Sequence, residues 1–96
     1  MKPFIALVHK DPASAYGLTF PDAPGCFSAA DELDEIFVKA EEALSLWAEG
    51  LREDGRELPR GRDLPEIKAD PAWAESFADA EIVIAVPAPW HNRQAA

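Results

Sequence analysis

The chain has 96 residues, enough for one domain with its own hydrophobic core, and an apolar fraction of 48% argues against a disordered protein. Eighteen acidic residues against nine basic ones give a net charge of −9, so most of the surface repels a nucleic-acid backbone; a basic protein partner, or solubility alone, explains this charge. One cysteine excludes an internal disulfide, and no apolar run is long enough for a signal peptide or a membrane span, so we expect a cytoplasmic protein.

The first thirty residues predict three short strands. Residues 3–9 are apolar and β-branched, and residues 16–20 alternate between large and small side chains as in a half-buried strand. Residues 21–25 break this pattern, because two prolines remove backbone donors and Gly25 can adopt a positive φ. Residues 26–30 form the third predicted strand, and the short connections favour an antiparallel meander.

One long amphipathic helix follows these strands. Its apolar residues recur at spacings of three, four and seven, which puts them on one face of a helix with about 3.6 residues per turn. These residues are Leu33, Phe37, Ala40, Leu44, Trp47, Ala48 and Leu51. Asp31 and the acids after it place acceptors and negative charge at the helix N-terminus, and Gly55 is the expected stop.

The opposite face of this helix is acidic, with isolated apolar residues. We predict that it contacts a basic protein through five residues: Glu35, Val38, Glu42, Leu46 and Glu49. An ordinary solvated helix face explains the same charges, and from the residues alone both interpretations stay open.

The second half of the chain predicts a loop, a short helix and a last strand. Residues 56–62 are polar, and residues 71–79 form a short helix that turns Trp73 and Phe77 towards the core. Residues 81–86 are strongly β, and because they follow a helix we expect them to pair parallel to the first strand through a right-handed crossover. The predicted fold class is therefore a small, single-domain α+β protein.

No catalytic constellation is evident in the sequence. The two histidines, His9 and His91, lie at opposite ends of the chain, and Cys26 has no partner at a metal-binding spacing, so we predict no enzyme, no cofactor and no metal. A two-metal nuclease requires several converging acids, whereas only Asp22 and Asp31 flank the third strand. We expect these two residues to be a turn former and a helix cap.

Three parts of the sequence carry a likeness to a known family: the residues YGLTFPDAPGCFSAAD at 16–31, the acidic helix after them and the final IVIAVP at 82–87. Together they resemble the HicB antitoxin family of bacterial toxin–antitoxin systems. The positions that match the family motif are expected to be structural; they are Pro21, Asp22, Pro24, Gly25 and Asp31.

This resemblance implies a partial ribonuclease-H-like fold of β-β-β-α-β order that lacks nuclease activity. It also implies a small basic partner, the HicA toxin, whose cleavage of messenger RNA the antitoxin blocks, and assembly into homo-oligomers, either dimers or tetramers. Many members bind DNA through a C-terminal element. We expect residues 1–89 to form the antitoxin domain and residues 90–96 to be a tail or the stub of such a DNA-binding segment.

Two other functions stay open at this level. A degenerate ribonuclease-H-like enzyme would use Asp22, Asp31 and a metal ion, whereas an orphan domain would only self-associate. Titration with Mg²⁺ or Mn²⁺ tests the first alternative, and a small basic reading frame beside the gene distinguishes an antitoxin from the second.

Overall fold

The computed structural model describes residues 3–88. Its sheet contains four strands: β1 (Phe4–Lys10), β2 (Tyr16–Thr19), β3 (Phe27–Ala30) and β4 (Ile82–Val86). Its helices are α1 (Ile36–Glu53), α2 (Leu64–Lys68) and α3 (Ala74–Asp79), with 3-10 turns at Leu33–Glu35 and Pro71–Trp73 directly before α1 and α3. A small α+β domain with one long helix is thereby confirmed. Within residues 3–88, no helix has the length and apolar character needed to cross a bilayer.

The strands follow the order β3-β2-β1-β4, and every neighbouring pair is antiparallel. The predicted three-stranded meander is confirmed. The prediction that the last strand runs parallel to the first is wrong, because β4 pairs antiparallel with β1, from Phe4 opposite Val86 to Val8 opposite Ile82. The ribonuclease-H-like description stays a prediction, without the parallel pair that was expected with it.

A second passage of the chain across the sheet explains the direction of β4. A single helix after β3 would return the chain for a strand parallel to β1. Here α2 and α3 cross the sheet again: Arg62, before α2, contacts Asp22 after β2, near the start of β1. Beyond α3, the Glu81 N–H donates to the Val8 carbonyl at 2.8 Å, near the end of β1. The chain therefore enters β4 at the end of β1 and runs back along it.

Two hydrophobic clusters hold these layers together. The larger lies between α1 and one face of the sheet, and Phe4 and Leu44 are fully buried in it. The smaller covers the other face, where Ile5 and Leu7 of β1 meet Ile67 of α2. Around it pack the two aromatic residues predicted to face the core, Trp73 and Phe77. β1 contributes to both clusters, which explains why its first five residues are all buried.

The buried stripe of α1 differs in part from the predicted one. Ala40, Leu44 and Ala48 face the sheet as expected, but the first buried residue is Ile36. Two members of the predicted stripe are instead largely exposed, Leu33 at 58% and Phe37 at 44%. The prediction assumed an α-helix from residue 33, whereas residues 33–35 form a 3-10 turn, so Leu33 lies outside α1. Within α1 the buried residues follow one another at spacings of four from Ile36, and Phe37 falls beside that row.

The C-terminus of α1 is fixed by Gly55, the predicted stop. Gly55 has a φ of +73°, a conformation that glycine adopts without steric cost. Its N–H donates to the Arg52 carbonyl at 3.0 Å, and the Arg56 N–H donates to the Leu51 carbonyl at 2.9 Å. These two hydrogen bonds form a Schellman motif and satisfy carbonyls that the helix would otherwise leave without donors.

Candidate protein-binding surface

The outer face of α1 carries the residues predicted to contact a protein partner. We call this surface the acidic face; all five of the predicted residues are exposed on it: Glu35, Val38, Glu42, Leu46 and Glu49. Spacings of three, four and seven keep them on one side of the helix, opposite the buried stripe. The structure thus brings the five together on one surface, while their contact with a toxin stays a prediction.

Glu35 differs from the other acids of the acidic face because it also stabilises the start of the helical segment. Glu32 and Glu35 form a capping box, in which the Glu32 N–H donates to Glu35 Oε1 at 3.2 Å. The cap is therefore Glu32, and the expected cap, Asp31, is exposed one residue earlier. A substitution of Glu35 changes the cap and the surface together, whereas a substitution of Glu42 or Glu49, which are exposed within α1, leaves the capping box in place.

Val38 and Leu46 add apolar area to the acidic face. Their side chains are 55% and 70% exposed. A shallow depression of about 490 Å³ lies between them, lined by Val38, Glu41, Glu42, Ser45 and Leu46. Scattered exposed apolar residues are common, but apolar residues framed by polar ones are typical of protein interfaces.

The carboxylates around the depression have no cationic partner among residues 3–88. Within that range, no ion pair involves Glu41, Glu42 or Glu49. The stretch from Glu32 to Glu53 contains seven acids and only two bases. Because acids outnumber bases in this stretch, the acidic face attracts cationic groups over a distance of about one Debye length, roughly 8–10 Å at physiological salt.

The turn after β2 is tied to a distant loop through Asp22. Asp22 Oδ1 accepts a hydrogen bond from Arg62 Nε at 2.8 Å, and Oδ2 accepts from the Arg62 backbone N–H at 2.6 Å. Arg62 Nη1 also donates to Asp70 Oδ2 at 3.2 Å. The pKa of Asp70 is lowered, first by the hydrogen bond from the Ala72 N–H and then by Arg62. Both oxygens of Asp22 are thus engaged by Arg62, which leaves that carboxylate poorly available to a metal ion.

The same turn is also tied to α1. The Trp47 indole N–H donates to the Pro24 carbonyl at 2.9 Å, and the Trp47 ring meets Phe4 edge-on with centroids 6.0 Å apart. Pro21 is buried, and Gly25 has a φ of +84° that makes the tight turn possible. These contacts support the interpretation of Pro21, Asp22, Pro24 and Gly25 as structural, which stays a prediction for Asp31.

Two residues weighed as catalytic candidates, His9 and Cys26, are hydrogen-bonded and buried respectively. His9 Nε2 lies 3.0 Å from the Ser76 carbonyl, which accepts a hydrogen bond when that nitrogen carries the proton; His91 lies outside the described residues. Cys26 is 3% exposed, and burial raises the pKa of its thiol from 9.0 to about 11. Within residues 3–88, no group of three or more His, Cys, Asp or Glu side chains could hold a metal ion.

Comparison with known proteins identifies the family. Residues 4–90 match the family described as HicB-like antitoxin of bacterial toxin–antitoxin systems. This chain is a member of the HicB-like antitoxin family. It is 32% identical to the antitoxin HicB of Burkholderia pseudomallei, with a TM-score of 0.72 over 90% of this chain and 62% of that one. It is 28% identical to a chain of the HicA3 and HicB3 toxin–antitoxin complex, with a TM-score of 0.69 over 86% of this chain and 93% of that one.

The chain also resembles a phage protein, of which the matched segment covers less than half. Over 60 residues the chain is 40% identical to an uncharacterized 14.9 kDa protein from the rep-hol intergenic region of Haemophilus phage HP1. This match covers 62% of our HicB-like chain but 45% of the phage protein.

The sequence of this HicB-like chain did not reveal three residues that the structure places in the depression or in the contact with Asp22. Glu41 and Ser45 line the depression on the acidic face, and their spacings of three and seven from Val38 would have identified them. Arg62 was assigned only to a polar loop, because a contact with Asp22 across 40 positions leaves no local sequence signal.

Proposed function

We propose that this chain is the toxin-binding domain of an antitoxin, which binds and neutralises a small basic toxin of the HicA type that cleaves messenger RNA, without catalytic activity of its own. The observation that carries this proposal is the similarity to a chain of the HicA3 and HicB3 complex, which covers 93% of that chain at a TM-score of 0.69. A protein of this fold and about this size is therefore a component of a toxin–antitoxin complex.

The charge of the chain supports a basic partner. A net charge of −9 attracts a cationic protein and accelerates its association, whereas it repels RNA. We assign the contact to the acidic face, with Glu42 and Glu49 as charged contacts and Val38 and Leu46 as apolar ones. Glu35 is part of this assignment in addition to its role in the capping box.

The rest of the proposal concerns the setting of the domain. We propose that residues 1–89 form the antitoxin domain, that it acts in the cytoplasm where messenger RNA is cleaved, and that it assembles into dimers or tetramers. We propose that any binding to DNA occurs through a segment C-terminal to this domain. The chain covers 62% of the Burkholderia pseudomallei HicB, so that relative is long enough to contain one.

A titration of the HicA-type toxin encoded beside this gene tests the proposal. We expect saturable binding in a calorimeter that weakens as salt rises, because charge attraction contributes to the affinity. The matched variant Glu42→Lys/Glu49→Lys keeps the capping box intact and is expected to bind more weakly. If Glu42→Lys/Glu49→Lys binds the toxin with the same affinity as the wild type, the assignment to the acidic face is contradicted. If the wild type does not bind even at low salt, the proposed function is contradicted.

A further inference from the structure

The depression on the acidic face has the arrangement that receives a single side chain in helix packing. Val38, Glu41, Glu42 and Ser45 follow one another at i, i+3, i+4 and i+7. Four residues at these spacings form the hole into which a side chain of a partner inserts. Ser45 is small and half-buried, so it leaves room between the larger residues.

The chemistry of the lining selects the kind of side chain that fits. Val38 and Leu46 offer apolar contact at the two ends, and Glu41 and Glu42 offer carboxylates without a cationic partner among residues 3–88. An apolar side chain would cover these carboxylates without pairing them, which costs free energy. A long cationic side chain suits both the apolar ends and the carboxylates of the depression, since its aliphatic stem packs on apolar surface while its charged head pairs with carboxylates.

We propose that this depression is the anchor point of the interface, where an arginine or lysine side chain of the basic toxin inserts between Val38 and Leu46 and pairs with Glu41 and Glu42. This inference rests on the proposed function and specifies the contact that dominates it. Arginine is enriched among the few residues that carry most of the binding free energy at interfaces, and such residues lie in pockets surrounded by contacts of smaller effect. Glu35 and Glu49 then belong to the surrounding contacts.

The experiment compares variants of the full chain in calorimetric titrations with the HicA-type toxin encoded beside its gene. Glu41→Gln/Glu42→Gln removes the two carboxylates, and Leu46→Gln removes one apolar wall. Each is expected to weaken binding about tenfold or more, the size typical of an anchor contact. The charge control is Glu57→Gln/Glu75→Gln, which removes the same number of charges from exposed positions elsewhere. The apolar control is Phe27→Thr, because Phe27 is also 70% exposed.

The outcomes separate this inference from the proposed function. The anchor is supported if the wild type binds the toxin, both test variants bind it with lower affinity, and both controls bind it with the affinity of the wild type. Equal affinities for test and control variants would overturn the anchor while toxin binding itself stands. Absence of wild-type binding would overturn both. If the test variants instead lower the mass of the free chain in analytical ultracentrifugation and leave toxin affinity unchanged, the face contacts a second copy, and the anchor is overturned.

A double-mutant cycle identifies the inserted side chain. Arginines and lysines of the toxin are replaced singly by methionine and titrated against wild type and Glu41→Gln/Glu42→Gln. One toxin residue is expected to show coupling with the carboxylate pair, so that its loss has little effect once they are absent. Coupling spread evenly over all cationic residues would contradict insertion of a single side chain.

Discussion

Asp22 joins two segments of the chain that are far apart in sequence. Its side chain is 8% exposed, whereas that of Arg62 is 35% exposed. Solvent therefore screens the charge of Arg62 in part, while the carboxylate of Asp22 is largely removed from water. The backbone N–H of Arg62 depends on the same carboxylate. Removal of Asp22 therefore leaves two donors of Arg62 without their acceptor, and the second passage of the chain across the sheet begins there.

We predict that Asp22→Ala lowers the free energy of unfolding by roughly 1–3 kcal/mol, the usual cost of leaving a partly buried hydrogen-bonding group unsatisfied. Asp22→Asn retains one acceptor oxygen and is expected to cost less. Urea denaturation followed by circular dichroism measures both, with Asp11→Ala as an exposed control. A loss for Asp22→Ala no larger than that of the control would show that Asp22 does not support the junction.

Cys26 behaves as a small apolar residue because the fold buries it. Its pKa rises to about 11 in the folded protein from 9.0, so as pH increases the unfolded state loses the thiol proton first. The stabilisation associated with the neutral thiol is present below pH 9.0 and is lost as pH rises towards 11.

We therefore predict that the native Cys26 thiol reacts slowly with a disulfide reagent at pH 8, since only the thiolate reacts and the side chain is buried. Reaction is expected to become fast in denaturant. The absorbance of the released thiolate measures both rates on one sample. Equal rates in the native and denatured chain would contradict the buried, neutral thiol.

At the scale of elements, the two glycines at the end of α1 make a matched pair. Gly50 lies inside the helix and Gly55 closes it at a φ of +73°; a Cβ added at either position meets no atom within 4 Å. Space is therefore equal, and only the backbone conformation differs.

We predict opposite effects of alanine at these positions. Gly55→Ala is expected to lower the free energy of unfolding by about 1 kcal/mol, because alanine in the left-handed region is strained. Gly50→Ala is expected to raise it by about 0.5–1 kcal/mol through better helix propensity. Thermal unfolding of the two variants measures the difference, and a change of the same sign in both would contradict the assigned end of α1.

Elements with a strong local signal were predictable from the sequence, and their relations across the sheet were less so. The meander followed from short connections, and the end of α1 followed from Gly55. The stripe of α1 was partly wrong because Leu33 lies in a 3-10 turn, which hydrophobic periodicity does not distinguish from an α-helix. The predicted direction of β4 was wrong, because the true direction depends on α2 and α3 crossing the second face of the sheet, and this long-range packing leaves no local signal in the sequence.

At the scale of the whole molecule, the two faces of the sheet are buried by different helices, and this frees one side of α1 for a partner. α1 uses Ile36, Ala40, Leu44 and Ala48 to cover one face, while α2 and α3 cover β1 on the other. The acidic face could be predicted from the sequence, because charge periodicity is local. The depression between Val38 and Leu46 required the structure, since it depends on which exposed side chains leave a gap.

The measurement that tests the central claim most directly is cleavage of messenger RNA by the HicA-type toxin encoded beside this gene, with and without this chain. We predict that equimolar addition of the chain abolishes cleavage, that Glu57→Gln/Glu75→Gln inhibits equally, and that Glu41→Gln/Glu42→Gln inhibits more weakly. Undiminished cleavage at several-fold excess of the folded wild-type chain, at low salt, would contradict the assignment of this domain as a toxin-neutralising one.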